Sequence, residues 1–262
     1  MHLSVYLSQI MGTQNKIGNY ILEICSSSPT SAIAAQRGGA SRVELCQSLE
    51  SGGITPSPTQ IRLTRAQLSI GIFVLIRPRS GNFVYSDVEV QEMIGDIEFC
   101  KEVGCDGVVV GILDRDGKVD MPRMTKLVQV ARPMQVVFHR AFDLCAEPRK
   151  ALESIIELGC DRILTSGQQE TALEGKALLR ELISQAAGRI EIMPGAGVDE
   201  HNIVEILKYT NAYSIHSSAK IVEKSSVQHL NTSIQSMNEN MIFTSQERTA
   251  KLVQQLQLLT KR

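Results

Sequence analysis

The chain has 262 residues, with 27 basic against 28 acidic side chains, a formal net charge of −1, 43% hydrophobic content and only 4% aromatic content. That balance excludes a bulk electrostatic draw to nucleic acid or anionic lipid, and few aromatic faces are available for base stacking. No apolar run approaches the ~20 residues that span a bilayer, the first 20 residues lack a charged n-region, and the six cysteines include no C-x-x-C pair. We therefore expect a reduced, cytoplasmic protein with neither a nucleic-acid nor a membrane partner.

Residues 1–18 precede the first expected strand and read as an N-terminal extension. From residue 19 to residue 262 a single domain is expected, because short apolar runs alternate with amphipathic stretches throughout. Strands are expected at Tyr20–Cys25, Arg42–Cys46, Gly71–Ile76, Gly107–Ile112, Gln135–His139, Arg162–Thr165, Ile190–Met193 and Tyr213–His216. Helices are expected between them at Thr30–Arg37, Pro58–Gln67, Asp87–Val103, Pro122–Ala131, Glu147–Leu158, Glu170–Ala187 and Asp199–Tyr209. Their apolar positions recur at three- and four-residue intervals, as in Ala151, Leu152, Ile155, Ile156 and Leu158.

One helix-to-strand turn is written three times: Gly39-Ala40-Ser41-Arg42-Val43, Gly104-Cys105-Asp106-Gly107-Val108 and Gly159-Cys160-Asp161-Arg162-Ile163. In each, a glycine lies where the helix should stop, Asp or Ser ties the turn, and a β-branched run follows. Eight such alternations in a chain of this size predict an α/β fold, a single (β/α)₈ TIM barrel. The doubly wound alternative lacks a G-x-G-x-x-G after its first strand. Residues 221–245, rich in Ser, Asn and Gln, read as an irregular insertion before a last helix at Gln246–Leu259.

Two phrases carry most of the chemistry: Leu22-Glu23-Ile24-Cys25 and Val43-Glu44-Leu45-Cys46. Side chains two apart share a strand face, so Glu23 lies beside Cys25 and Glu44 beside Cys46. Buried parallel strands make such carboxylates costly unless partnered. Neighbouring strands about 4.8 Å apart can bring the two thiols to one soft ion, and thiolates select Cu(I). Cys25 and Cys46 are thus the candidate metal ligands, against the plainer reading of two small buried apolar residues. A third ligand is not in evidence nearby in sequence, which disfavours structural zinc.

Barrel enzymes keep their sites at the strand C-termini, and those positions here are strongly polar. Arg77 and Arg79 suit a carboxylate or phosphate, or else Arg77 pairs with Glu23 or Glu44. His139 is a candidate acid–base group with Asp143 orienting it. Gly195, Gly197 and Ser217, after the last two strands, resemble a phosphate cradle, with Arg79 adding to the anion-binding set. A catalytic reading would use His139, Asp143, Glu44 and Arg77 on a small anionic or phosphorylated metabolite. A scaffold barrel with a filled mouth is the blandest class. Cys100, Cys105, Cys145 and Cys160 read as structural.

Several stretches together resemble the CutC family of copper homeostasis proteins: Glu23-Ile24-Cys25, Gly38 through Cys46, Gly52 through Ser57, Ile76-Arg77-Pro78-Arg79, Phe138 through Asp143, Arg162 through Gly167, and Gly195 through Val198. They cover about residues 19–220. The resemblance implies a cytoplasmic (β/α)₈ barrel, a homodimer or homotetramer, with copper as its ion and Cu(I) held by the cysteines at positions 25 and 46. It brings no established reaction with it.

Overall fold

Serine, proline and glycine punctuate the chain as the repeat requires. Ser57 and Ser86 each close a capping box, with Gln60 and Glu89 returning a hydrogen bond to the cap. Proline opens the helices that start at Pro29, Pro58 and Pro148. The structure, a computed structural model, describes residues 16–223, 227, 228, 233 and 241–261. Most of the expected N-terminal extension, residues 1–15, lies outside the described residues.

Eight parallel strands form: β1 (Ile21–Ser26), β2 (Arg42–Leu45), β3 (Gly71–Leu75), β4 (Gly107–Val110), β5 (Gln135–Phe138), β6 (Arg162–Thr165), β7 (Glu191–Pro194) and β8 (Ser214–Ser217). They pair in the order β7-β6-β5-β4-β3-β2-β1-β8, and β8 also packs beside β7, so the sheet curls into a nearly closed barrel. Eight helices surround it among the described residues: α1 (Pro29–Arg37), α2 (Pro58–Gln67), α3 (Asp87–Val103), α4 (Met121–Ala131), α5 (Pro148–Glu157), α6 (Lys176–Ala186), α7 (Ile203–Thr210) and α8 (Gln246–Thr260). The expected (β/α)₈ architecture is the observed one. None of these helices is long and apolar enough to cross a membrane.

Strand alternation divides the apolar side chains into two sets. Leu22, Val43, Ile72, Val108, Val136, Ile163 and Ile215 point outward and are buried under the helices. Cys25, Cys46, Phe73, Leu75, Val109, Val137, Leu164 and Met193 fill the barrel interior. The interior set therefore carries both candidate metal ligands.

Two expected helices start late, for one reason. Thr171 and Glu174 exchange side-chain and backbone hydrogen bonds, so residues before Lys176 form turns. Asp199 likewise accepts from the amides of His201 and Asn202 ahead of α7. These amides have no acceptor within a helix, so the side chains hold them in capped turns that lead into α6 and α7. The segment read as an irregular insertion is regular at its ends: β9 (Lys220–Glu223) and β10 (Met241–Thr244) pair antiparallel. Thr244 anchors that hairpin to the barrel, donating from Oγ1 to the carbonyl of Cys25 at 3.1 Å and from its amide to Ser31 Oγ at 3.2 Å. Apart from residues 227, 228 and 233, the part between the two strands lies outside the described residues.

Candidate functional site

The two Glu-x-Cys runs are neighbours, but offset. Across the β1–β2 ladder Glu23 faces Arg42, and Cys25 faces Glu44. Cys46 lies one residue beyond β2, where its amide donates to the carbonyl of Ser26. There the two Sγ atoms stand 3.7 Å apart. His216, on the other neighbour of β1, faces Glu23. One ligand atom each from Cys25, Glu44 and His216 lie within 4.8 Å of one another. Sequence spacing offered two sulfurs and no third donor; the barrel supplies a carboxylate and an imidazole beside them. His216 occupied a strand end in the sequence, yet nothing there assigned it a role.

All four side chains are buried, and their electrostatics follow from that. The Cys25 thiol is pushed up by its hydrogen bond with Cys46, by burial, and by the nearby Cys46, Glu44 and Glu23 charges. Burial, helped by Glu23, raises the Glu44 carboxyl to about 7, against the opposing pull of His216 and Cys25. Burial opposes charge on His216, but the Glu23 hydrogen bond and both carboxylates outweigh it and raise the imidazole. The contacts behind this are His216 Nδ1 to Glu23 Oε1 at 2.9 Å and His216 Nε2 to Glu44 Oε2 at 3.4 Å.

Deeper in the barrel, Glu23 belongs to a buried ionic network. Arg42 Nε donates to Glu23 Oε2 at 2.6 Å and Arg42 Nη2 to Glu191 Oε1 at 3.0 Å. Arg162 Nε donates to Glu191 Oε1 at 2.7 Å, and the Tyr213 hydroxyl donates to Glu191 Oε2 at 3.1 Å. Both guanidinia lie against the Phe73 ring. Burial alone would raise the two carboxyls. Arg42, with His216 and Arg162, overcomes it at Glu23, and Arg162 with Arg42 holds Glu191 down at about 2.

Above this floor a cavity of about 520 Å³ opens at the strand C-termini, lined in part by Cys25, Glu44, Cys46 and His216. Arg77, Phe83 and His139 line it from the side of β3 and β5. Arg77 does not pair with Glu23 or Glu44: it donates to the carbonyls of Gly53 at 2.8 Å, Ser51 at 3.2 Å and Gly81 at 2.9 Å. Nor does Asp143 orient His139. Asp143 binds Arg140 Nε at 2.8 Å and the amides of Ser166 and Gln168, stapling the loop after β6. His139 Nδ1 instead accepts from the amide of Ala141 at 3.1 Å.

The expected anion rim is only partly assembled. Arg79 lies outside the cavity lining, paired with Glu89 and stacked on Tyr85. Gly197 and Ser217 line the cavity, but the Ser217 hydroxyl is spent on the carbonyl of Val198 at 2.6 Å. Gly197 has φ +66°, and a Cβ there would lie 2.8 Å from Thr171. A Cβ at Gly195 would lie 2.5 Å from Leu164 and 3.2 Å from His216. Close packing beneath His216 therefore accounts for Gly195. The substitution Gly195→Ala is expected to cost about 1–3 kcal/mol by overpacking and to displace the His216 ring. Urea unfolding together with the histidine ring resonances would check both effects; an unshifted His216 signal would contradict this reading.

A family model for the CutC family matches residues 20–221. The chain belongs to the CutC family. A CutC family protein of Parabacteroides distasonis is 50% identical over 215 residues, covering 82% of this chain and 88% of the relative. One from Xanthomonas axonopodis pv. citri is 47% identical over 236 residues, covering 90% and 98%. Among solved structures, CutC from Streptococcus agalactiae superposes with a TM-score of 0.73 at 34% identity, over 76% of this chain and 98% of that one. Thiamine phosphate pyrophosphorylase from Pyrococcus furiosus, at 13% identity and a TM-score of 0.59, covers 93% of this chain and shares the fold alone.

Proposed function

We propose that this CutC chain serves copper homeostasis by binding Cu(I) as cargo through the thiolates of Cys25 and Cys46 at the barrel mouth. The observation that carries this reading is the 3.7 Å separation of the two sulfurs. With a metal–sulfur bond near the ~2.3 Å found for zinc, one ion can touch both. Thiolates are the ligands that soft Cu(I) prefers. Glu44 and His216, close to Cys25, offer further donors or stabilise the protons that leave the thiols. The name of the Streptococcus agalactiae neighbour, which links it with copper homeostasis, supports the same reading. Six free, buried cysteines suit a reducing compartment, the cytoplasm. The homodimer or homotetramer implied by the family resemblance belongs to this reading too.

An enzyme using Glu44, Arg77, His139 and Asp143 has less support, because Asp143 is engaged with the 165–168 loop and Gly195 lies outside the cavity lining. The test is a competition titration of the reduced protein against the Cu(I) chelator bathocuproine. Wild type should withdraw one equivalent of Cu(I). The Cys25→Ser, Cys46→Ser double variant should lose more than about a hundredfold in affinity, beyond what loss of a group outside the ligand set costs. Unchanged affinity in that variant would overturn the proposal.

A further inference from the structure

Arg77 is a buried cation with no carboxylate paired to it among the described residues. Its guanidinium is held by three loop carbonyls, those of Ser51, Gly53 and Gly81, and lies 5.0 Å over the Phe83 ring. Those dipoles solvate the charge without cancelling it. The phenol of Tyr85 is the ionisable neighbour that could become an anion there, but burial pushes its ionisation up and keeps it neutral. An uncancelled charge in a buried position is costly, and an anion bound beside it would offset that cost.

His139 adds the second half. It is 95% buried by its 5% exposure, and its Nδ1 accepts from the Ala141 amide, which assigns the ring hydrogen to Nε2. That Nε2 has no hydrogen-bond partner. Burial and the Arg77 charge hold the imidazole down at about 3, so it stays a neutral donor across the physiological range. The Phe83 ring packs on both groups, 4.8 Å from the His139 ring, and all three line the same cavity as the thiol pair.

We propose that Arg77 and His139 form an oxyanion subsite in this cavity, taking the carboxylate or phosphate group of a small ligand. Nε2 lies just beneath the cavity wall, so a small rotation of the His139 ring brings it to an oxygen of such a group, which also completes the charge of Arg77. The subsite uses neither cysteine, so it stands or falls apart from the copper reading.

The test is calorimetric titration of the full-length, reduced, metal-free protein with inorganic phosphate and, separately, with oxalate, against chloride as control. Saturable binding of phosphate assigns a phosphorylated ligand, and saturable binding of oxalate a carboxylate one. His139→Asn keeps an acceptor near the Ala141 amide and removes the distal donor; it should weaken binding about tenfold, the loss of one charge-assisted hydrogen bond. Arg77→Met should abolish binding. Should that variant fail to fold, the ¹⁵N signal of the His139 ring decides: its Nε2 resonance must shift as the anion is added to wild type. The Cys25→Ser, Cys46→Ser variant should bind the anion as wild type does, which separates failure here from failure of the copper reading. Absence of binding of both anions, or binding that leaves the His139 resonance unmoved and is unchanged in His139→Asn, would overturn the subsite.

Discussion

Replacing Arg42 by Met will lower folding stability by about 3–5 kcal/mol at neutral pH, because it removes the guanidinium that two buried carboxylates share and leaves Glu23 with His216 and Glu191 with Arg162 as their remaining cations. Arg42 bridges Glu23 and Glu191 at 2.6 and 3.0 Å inside the barrel. Met has a similar volume, so the loss comes from charge and not from an empty space. The pH dependence fixes the cause. Both carboxyls titrate below their ordinary value in the folded protein, Glu191 at about 2. Their stabilisation is therefore fully present above the unfolded carboxylate range and is lost as pH falls through it toward the folded values. In Arg42→Met the carboxyls rise, so the gap between variant and wild type should narrow on acidification. Urea unfolding at neutral pH and again at about pH 4 measures this. A loss below about 1 kcal/mol, the scale of an exposed pair, would contradict the network.

Glu44→Gln should make the protein more stable above neutral pH, by up to about 3 kcal/mol. The folded Glu44 carboxyl sits at about 7, above its ordinary 4.5, chiefly through burial. The folded state then binds more protons than the unfolded state between those values, and stability falls as pH rises through that window. Glutamine removes the titration, so the variant should gain on wild type from about pH 4.5 upward and gain nothing more above about 7. The part that remains sloped belongs to His216, whose raised imidazole is stabilising below its unfolded value and loses that contribution as pH rises through the folded one. Parallel stability curves for wild type and variant would show that Glu44 is not a buried, proton-holding carboxyl.

Fold and site were legible to different depths. Local punctuation announced the barrel: glycine-ended helices, Asp- or Ser-tied turns and β-branched runs recur in sequence as they do in space. The doubled Glu-x-Cys placed Cys25 and Cys46 at one mouth, because a period of two is a local property. The stagger between β1 and β2 is not local. It pairs Cys25 with Glu44 and Glu23 with Arg42, which no inspection of either strand alone reveals. Arg42 and Arg162 read in sequence as the turn residues that start strands, yet they are the interior cations. The sequence lets Arg77 grip a ligand carboxylate or phosphate or pair with Glu23 or Glu44; its partners within the protein are backbone carbonyls of residues 51, 53 and 81, groups that carry no signature in side-chain identity. His139 and Asp143, four apart, looked like a dyad; the short 3₁₀ turn over Arg140–Leu144 sends Asp143 to the next loop instead. The hairpin ends around 221 and 243 were missed because its strands pair across a polar stretch with weak alternation.

One Cu(I) ion held by two sulfurs at the barrel mouth has a direct spectroscopic signature. X-ray absorption at the copper edge, on reduced protein loaded with one equivalent of Cu(I), tests it most directly. Wild type should show a shell of sulfur neighbours, replaced by nitrogen and oxygen or lost outright in the Cys25→Ser, Cys46→Ser variant. A wild-type shell without sulfur, or a sulfur shell that survives the double substitution, would contradict it.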